Sequence, residues 1–327
     1  MKTAAAGDTG RQRAARAHGQ EPALWSLVGN TPLIPLPPFA AHSRPVPPVF
    51  LKAEWLNPGG SVKDRPALFI LRDGIASGAL PAKRLLDASS GNTAIAYAML
   101  GAAAGIGVTV CVPANASAER KALLETYGAE VIFTDSLDGS DGAIRAAREL
   151  AAANPDLYWY ADQYNHPANP RAHYVTTAEE IWRQTAGRIT HLVAGLGTTG
   201  TLMGTGRRLK EWNPAVELVA VQPDSPFHGL EGLKHLPTAI VPGIYDPARV
   251  DRTEFVATEE ADDAVRRWAK DAGLFVGWSS GAALVAAHRV LSDSPAGRRP
   301  DAVVVVVAPD AGHRYLSEHR RLAGEAT

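Results

Sequence analysis

Short, mostly apolar runs recur along the chain, most of them followed by a stretch with helical spacing. Residues 85–88, 108–112, 131–133, 191–194, 217–221 and 303–307 are the clearest. Runs of this kind read as strands buried on both faces, as in parallel sheets covered by helices. The expected fold class is therefore α/β, with mostly parallel sheets flanked by helices. A chain of 327 residues carries a prior of about two domains, and there are too many strands for one comfortable sheet. The polar stretch 162–170 is the expected boundary, giving an N-terminal domain at 23–165 and a C-terminal domain at 166–327. Residues 1–22, rich in Ala, Arg, Gly and Gln, read as a disordered tail. The periodicity also predicts one helix over 172–185, a strand at 274–277 and a helix beginning at 281.

Composition excludes several classes. The net charge of -1 gives no electrostatic case for nucleic acid or an anionic membrane. No apolar run approaches the roughly 18 residues of a membrane span. The single cysteine, Cys111, lies in an apolar run and reads as a buried strand residue. The cytoplasm is the expected compartment, with small molecules as the expected partners. No spacing of His, Cys or acidic residues suggests a metal site.

One loop stands out chemically. Asn57-Pro58-Gly59-Gly60-Ser61-Val62-Lys63-Asp64-Arg65 is irregular and Gly-rich, and it leads into a helix with Leu68, Leu71 and Ile75 on one face. Pro66 belongs in the first turn of that helix, so Lys63 stands at or just before its N-terminus. The positive potential there is expected to depress the lysine pKa, leaving an amine able to attack an aldehyde.

Three further loops follow strands, where ligands of parallel sheets gather. Ser89-Ser90-Gly91-Asn92-Thr93 offers hydroxyls, an amide and backbone N–H groups suited to a carboxylate, or simply to capping a helix. Residues 195–201 match G-x-G-x-x-G between a strand and a helix. A dinucleotide site needs an acidic residue at the end of the next strand, where Gln222 stands with Asp224 just beyond. Thr198, Thr199 and Thr201 favour a cradle for one phosphate. Gly277-Trp278-Ser279-Ser280-Gly281 is the last such turn, its serines suited to a helix cap or to a bound heterocycle.

A lysine loop, an amide-bearing loop, a Gly-Thr-Thr-Gly-Thr turn and a late Ser-Ser-Gly turn, in that order, resemble the cysteine synthase family of fold-type II pyridoxal-phosphate enzymes. The resemblance runs over residues 27–317. Gln163, the stretches 237–238 and 242–245 and the ending 314–317 look most like the cysteine synthase B branch, the O-acetylserine or O-phosphoserine sulfhydrylases. It implies a fold similar to the tryptophan synthase β subunit, pyridoxal 5'-phosphate as cofactor and a homodimer. It implies that Lys63 forms the Schiff base and moves the α-proton, that Asn92 meets the phenolic oxygen, and that Gly197, Thr198, Thr199, Gly200 and Thr201 hold the phosphate. Ser279 would face the pyridine nitrogen. Ser89, Ser90, Gly91, Thr93 and Gln163 would take the substrate carboxylate, and Lys234 an anionic substrate. The implied reaction is β-replacement on O-acetyl-L-serine or O-phospho-L-serine by sulfide or thiosulfate through an aminoacrylate, yielding L-cysteine or S-sulfocysteine. Cystathionine β-synthase and serine or threonine dehydratase are the alternatives within the family, and an NAD(P)-dependent oxidoreductase the one outside it. Ala94 stands where the family often has glycine, Ser89 where it often has threonine, and Trp278 where it usually has an aliphatic residue.

Overall fold

The computed structural model describes residues 21–37, 47–89, 91–293 and 301–317. The expected tail thus lies outside the described residues except for Glu21 and Pro22, and both of these are engaged. Arg72 donates to the two Glu21 oxygens at 2.7 and 2.6 Å, and Pro22 O accepts from Trp25 N at 2.9 Å.

In chain order the elements are β1 (Leu33–Pro35), β2 (Val49–Ala53), α1 (Asp64–Ala76), β3 (Arg84–Ala88), α2 (Asn92–Ala104), β4 (Val108–Pro113), α3 (Ala118–Thr126), β5 (Glu130–Thr134), α4 (Gly139–Ala153) and β6 (Tyr158–Tyr160). There follow α5 (Ala168–Ala172), α6 (Ala178–Gln184), β7 (His191–Gly195), α7 (Gly200–Trp212), β8 (Glu217–Pro223), β9 (Arg252–Val256), α8 (Thr258–Ala272), α9 (Trp278–Asp293) and β10 (Val304–Ala308). The chain divides into two compact units. One joins the described residues up to Val28 to Leu71–Ala161, and the other joins Gly29–Ile70 to the chain from Asp162 onward.

The smaller unit is built on a four-stranded, all-parallel sheet in the order β5-β4-β3-β6. β4 is buried along its whole length, as its unbroken apolar run requires. α2 is apolar nearly all round and correspondingly buried. Its Leu100 carbonyl accepts a hydrogen bond from the buried Trp25 indole at 3.1 Å, which fastens the start of the described chain to this helix. Cys111 is buried in β4, and burial pushes its thiol up to about 11, so it is an inert core residue.

The larger unit contains a six-stranded sheet in the order β1-β2-β10-β7-β8-β9, parallel throughout except for the β1–β2 pair. Membership here differs from the expected division at residue 165. β2 pairs with β10 in the register Val49↔Val304 to Ala53↔Ala308, so the lysine loop that follows β2 belongs with the C-terminal half of the chain. The reason is physical: Val304–Ala308 is buried along its whole length and needs a strand partner on each side. β7 provides one partner and β2 the other.

Beneath the lysine loop this unit holds a cluster of buried charge. Arg65 donates to Glu54 at 2.7 and 2.8 Å and to Glu180 at 2.7 and 2.8 Å. Lys52 Nζ donates to Glu180 at 2.7 Å, to Gln184 at 3.0 Å and to the Thr31 carbonyl. Burial works to raise the Glu54 pKa, but the Arg65 guanidinium and then Lys52 and Thr31 bring it down to about 2. Two cations and two anions share one volume, so each desolvated charge has a partner.

Three local expectations are corrected. The helix over 172–185 is interrupted by a π-helical turn, His173–Thr177, where the His173 ring bonds Thr177 Oγ1 at 2.9 Å and Thr176 Oγ1 donates back to Ala172 O at 2.6 Å. The strand at 274–277 is reduced to one bridge, Val276↔Ala311. The last long helix begins at Trp278, which puts Ser279 and Ser280 inside its first turn. β9 went unread because alternating Arg252, Thr253 and Glu254 mark an edge strand, with Arg252 paired to Glu254 at 2.6 Å.

Removing Glu180 leaves Arg65 and Lys52 short of an anion in a buried site, a loss of about 3–5 kcal/mol for an uncompensated buried charge. Glu180→Ala is expected to lower the urea midpoint accordingly, while Arg207→Ala, an exposed partner in an ion pair, is expected to leave it nearly unchanged.

Candidate active site

In the larger unit the neighbouring strands β2, β10 and β7 run parallel, so the segments leaving their C-terminal ends emerge side by side. β2 leads into the lysine loop, β10 into Pro309–Asp310–Ala311, and β7 into the Gly-Thr-Thr-Gly-Thr turn. The middle segment laces its neighbours together. Val62 N donates to Pro309 O at 2.8 Å, Gly277 N donates to Asp310 O at 3.1 Å, and bridges form at Ser61↔Asp310 and Val276↔Ala311. Lys63 and the Ser279 turn are therefore held by the same piece of backbone.

Lys63 immediately precedes α1 and is half-buried, and its backbone N–H donates to Ser61 Oγ at 3.2 Å. Burial pushes its ammonium below the ordinary lysine range, while Asp310 and Glu54 oppose the shift. Desolvation is the largest cause, at a residue that also stands directly before a helix N-terminus. The next residue is also perturbed. Burial raises Asp64 to about 7 against the Gly59 N–H that its Oδ2 accepts, and its Oδ1 is buried with no hydrogen-bond partner among the described residues. Arg314 donates to the Gly59 carbonyl, so the C-terminal segment holds the glycine turn from the other side.

The turn after β7 is built for an anion. Thr199 has φ +69°, a left-handed conformation that is an outlier for a β-branched residue. It is buried, and its Oγ1 has no hydrogen-bond partner among the described residues. Gly200 opens α7, whose first backbone N–H groups point out of the helix. Both glycines are required by close approach. A β-carbon at Gly197 would stand 2.1 Å from Gly232 O, and one at Gly200 would stand 1.9 Å from Asn169 Oδ1. Asn169 Nδ2 in turn donates to Thr198 Oγ1 at 3.0 Å, and Thr201 Oγ1 lies 3.3 Å from His173 Nε2. His173 is buried, and burial followed by the nearby Arg65 guanidinium holds it at about 3, hence neutral at physiological pH.

Ser279 is buried in the first turn of α9, beside Trp278, whose indole donates to Asp262 Oδ1 at 2.9 Å and whose ring packs on Tyr315 at 5.6 Å. Gln163 is buried and its backbone carbonyl accepts from Asn169 Nδ2 at 2.7 Å. Lys234, which sequence alone leaves equally readable as a solvated loop residue, is 6% exposed. Its ammonium lies 5.1 Å from the centre of the Tyr164 ring and its backbone N–H donates to Leu196 O at 2.8 Å, against the Gly-Thr-Thr-Gly-Thr turn. In the smaller unit, Ser89 Oγ accepts from Gly91 N at 3.3 Å and Ala94 N at 3.2 Å, so its hydroxyl caps α2. Asn92 and Thr93 are the first two residues of that helix, and Ser90 lies outside the described residues. Ala94 is already helical, where alanine is favoured over glycine.

A family profile described as "Pyridoxal-phosphate dependent enzyme" matches residues 24–310. A cysteine synthase from Aquifex aeolicus is 50% identical over 296 residues, which cover 90% of each chain. The chain belongs to the cysteine synthase family of pyridoxal-phosphate dependent enzymes. Cysteine synthase B from Pseudomonas aeruginosa is 42% identical, with 91% of this chain and 97% of that one covered. Among solved structures, a cysteine synthase from Entamoeba histolytica superposes with a TM-score of 0.85 at 30% identity, covering 100% of this chain and 96% of that one. Like other members of this family, the protein is an enzyme that uses pyridoxal phosphate. The residues present fit that group: an orphaned buried hydroxyl on a strained turn at a helix N-terminus suits a phosphate, and a desolvated amine suits an aldehyde.

The larger unit gathers Lys63, the Gly197–Thr201 turn, Ser279, Gln163 and Lys234 in one folded body, whereas Ser89, Gly91, Asn92 and Thr93 belong to the smaller unit. Asn169 and His173, which touch Thr198 and Thr201, were not singled out as site residues by the sequence. The available signal was their placement in the polar stretch and at the head of an otherwise regular helical pattern.

Two measurements probe this geometry. Gly200→Ala must displace either α7 or Asn169, and overpacking of about 1–3 kcal/mol predicts a cofactor affinity lower by about ten-fold or more. Titrating pyridoxal phosphate into the apoprotein checks this. Asp64 holds its proton in the folded state up to about pH 7, whereas the unfolded chain releases it near pH ~4. Its contribution to stability is thus greatest at acid pH and is lost as pH rises through that window. Asp64→Asn is expected to flatten the fall in stability between those limits, measured by denaturation at several pH values.

Proposed function

We propose that the protein replaces the O-linked group of an activated L-serine, O-acetyl-L-serine or O-phospho-L-serine, with sulfide or thiosulfate. The products are L-cysteine or S-sulfocysteine and free acetate or phosphate. The observation that carries this reading is a desolvated lysine amine emerging at the same end of one sheet as a strained, hydroxyl-rich helix N-terminus.

Pyridoxal phosphate, when bound, supplies an aldehyde for an amine and an electron sink that acidifies the substrate α-carbon. Lys63 is assigned to that aldehyde and then to the α-proton. Its lowered pKa supports both tasks, because a neutral amine is the form that attacks a carbonyl and accepts a proton. Gly197, Thr198, Thr199, Gly200 and Thr201 are assigned to the phosphate, supported by the orphaned Thr199 hydroxyl and the close approach of the glycines. Ser279 is assigned to the pyridine nitrogen. A neutral hydroxyl does not keep that nitrogen charged, which favours loss of a β leaving group over a long-lived carbanion. Asn92 is assigned to the phenolic oxygen. Ser89, Ser90, Gly91, Thr93 and Gln163 are assigned to the substrate carboxylate, all five on the family resemblance. The assembly carried over from that resemblance is a homodimer, and the cytoplasm is the location expected from the composition. Among the described residues no helix is long and apolar enough to cross a membrane. The oxidoreductase reading has less support, since Gln222 stands at the end of β8 with its side chain accepting from Leu236 N at 3.0 Å.

Lys234 is assigned to an anionic substrate. Its burial beside Tyr164 supports this, because a cation withdrawn from water gains most from a charged ligand. Lys234→Ala is expected to raise KM for thiosulfate or for O-phospho-L-serine while sparing sulfide and O-acetyl-L-serine. Equal losses across all four, or none, would remove the assignment.

Borohydride treatment of the cofactor-loaded enzyme, followed by peptide mapping, is expected to leave the cofactor mass on the peptide containing Lys63. Lys63→Ala is expected to lose that label and to slow cysteine formation by about 10³-fold or more. A label on any other lysine, or no cysteine from any activated serine, contradicts the proposal.

A further inference from the structure

We propose that Asn169 is a positioning residue that fixes the Thr198 hydroxyl as a donor toward the cofactor phosphate. The inference rests on the reading above, in which the Thr198 turn holds that phosphate.

Asn169 is the second residue of α5 and is 1% exposed. Its Nδ2 donates to Gln163 O at 2.7 Å and to Thr198 Oγ1 at 3.0 Å. The amide nitrogen has two hydrogens, and these two bonds use both. Its Oδ1 is buried with no hydrogen-bond partner among the described residues and faces Gly200, where a β-carbon would stand 1.9 Å away. Which end of the amide is nitrogen and which is oxygen is fixed at this position on chemical grounds. The Gln163 carbonyl only accepts, so turning the amide over would set two acceptors against each other. That carbonyl fixes the amide, and the amide then presents N–H to Thr198.

A threonine hydroxyl has one hydrogen to give. Because Thr198 Oγ1 accepts from Asn169, its own hydrogen is free to point elsewhere, and an anion at the N-terminus of α7 is the acceptor that this turn is shaped for. Polarity thus passes from a carbonyl to an amide, to a hydroxyl and to an anion. The same amide joins the Gln163 segment, assigned to the substrate carboxylate, to the turn assigned to the phosphate.

Asn169→Asp tests this with almost no change in volume. The new carboxylate offers acceptors where Nδ2 offered donors, so the Thr198 hydrogen is drawn toward it and away from the phosphate. Tryptophan fluorescence of the folded apoprotein, titrated with pyridoxal phosphate and separately with inorganic phosphate, gives the readout. Asn169→Asp is expected to weaken both ligands by about ten-fold or more, the scale of one charge-assisted hydrogen bond. In a Thr198→Val background the same substitution is expected to cost much less, because the hydroxyl whose polarity it sets is gone. Asn169→Ala is carried in parallel, and its expected loss has the same sign if the charged variant does not fold. A lower apoprotein melting temperature with both affinities intact would make Asn169 purely structural and overturn the inference, as would a loss of equal size with and without the Thr198 hydroxyl. If Thr198→Val leaves affinity for pyridoxal phosphate unchanged, the phosphate reading itself falls and takes this inference with it. If Thr198→Val weakens binding and neither Asn169 variant does, only the role of Asn169 falls.

Discussion

Desolvated charge is the constraint on which the larger unit depends. Arg65 lies two residues after Lys63 and is buried between Glu54 and Glu180, with Lys52 completing the set. No member can be withdrawn from water unless the others are already in place. The cluster draws on β2, the turn after it, the first turn of α1 and the helix α6, so satisfying it fixes where the lysine loop leaves the sheet. The same desolvated surroundings push down the Lys63 amine and hold His173 neutral. One internally neutral, buried cluster therefore sets where the lysine loop leaves the sheet, while burial of Lys63 itself lowers its pKa against the pull of Glu54.

Backbone strain and an orphaned hydroxyl coincide where an anion is expected. Thr199 is held in a backbone conformation that its branched side chain disfavours, and its hydroxyl has no protein partner among the described residues. Each would be a liability in a chain that only had to fold. Together they mark a turn whose free hydroxyl and helix N-terminus suit an anion, and pyridoxal phosphate is what the family brings.

Much of this was legible in the residues. Apolar runs such as 303–307 announce a buried parallel strand, and Gly-Gly-Ser-Val-Lys ahead of Pro66 announces a lysine just before a helix. Pairing between distant segments was not legible. Nothing local in Val49–Ala53 says that its partner is Val304–Ala308, so the lysine loop was expected in the wrong half of the chain. β9 was hidden because its charges belong to a sheet edge, and the π turn at His173 because Thr177 and Thr201 flank that ring only in three dimensions. Asn169 was invisible for the same reason: an asparagine in a polar stretch shows its purpose only when Gln163 and Thr198 are seen on either side of it.

The place of β10 in the sheet has a further consequence for how the protein is made. It lies between β2 and β7, yet among the described residues it is the last strand in chain order. Until it emerges from the ribosome, β2 and β7 lack their shared neighbour, and the backbone that pins the lysine loop to the Ser279 turn does not exist. A nascent chain therefore cannot assemble this reactive centre early. A product truncated before β10 keeps the residues of the buried charge cluster but lacks the backbone that ties the lysine loop to the Ser279 turn.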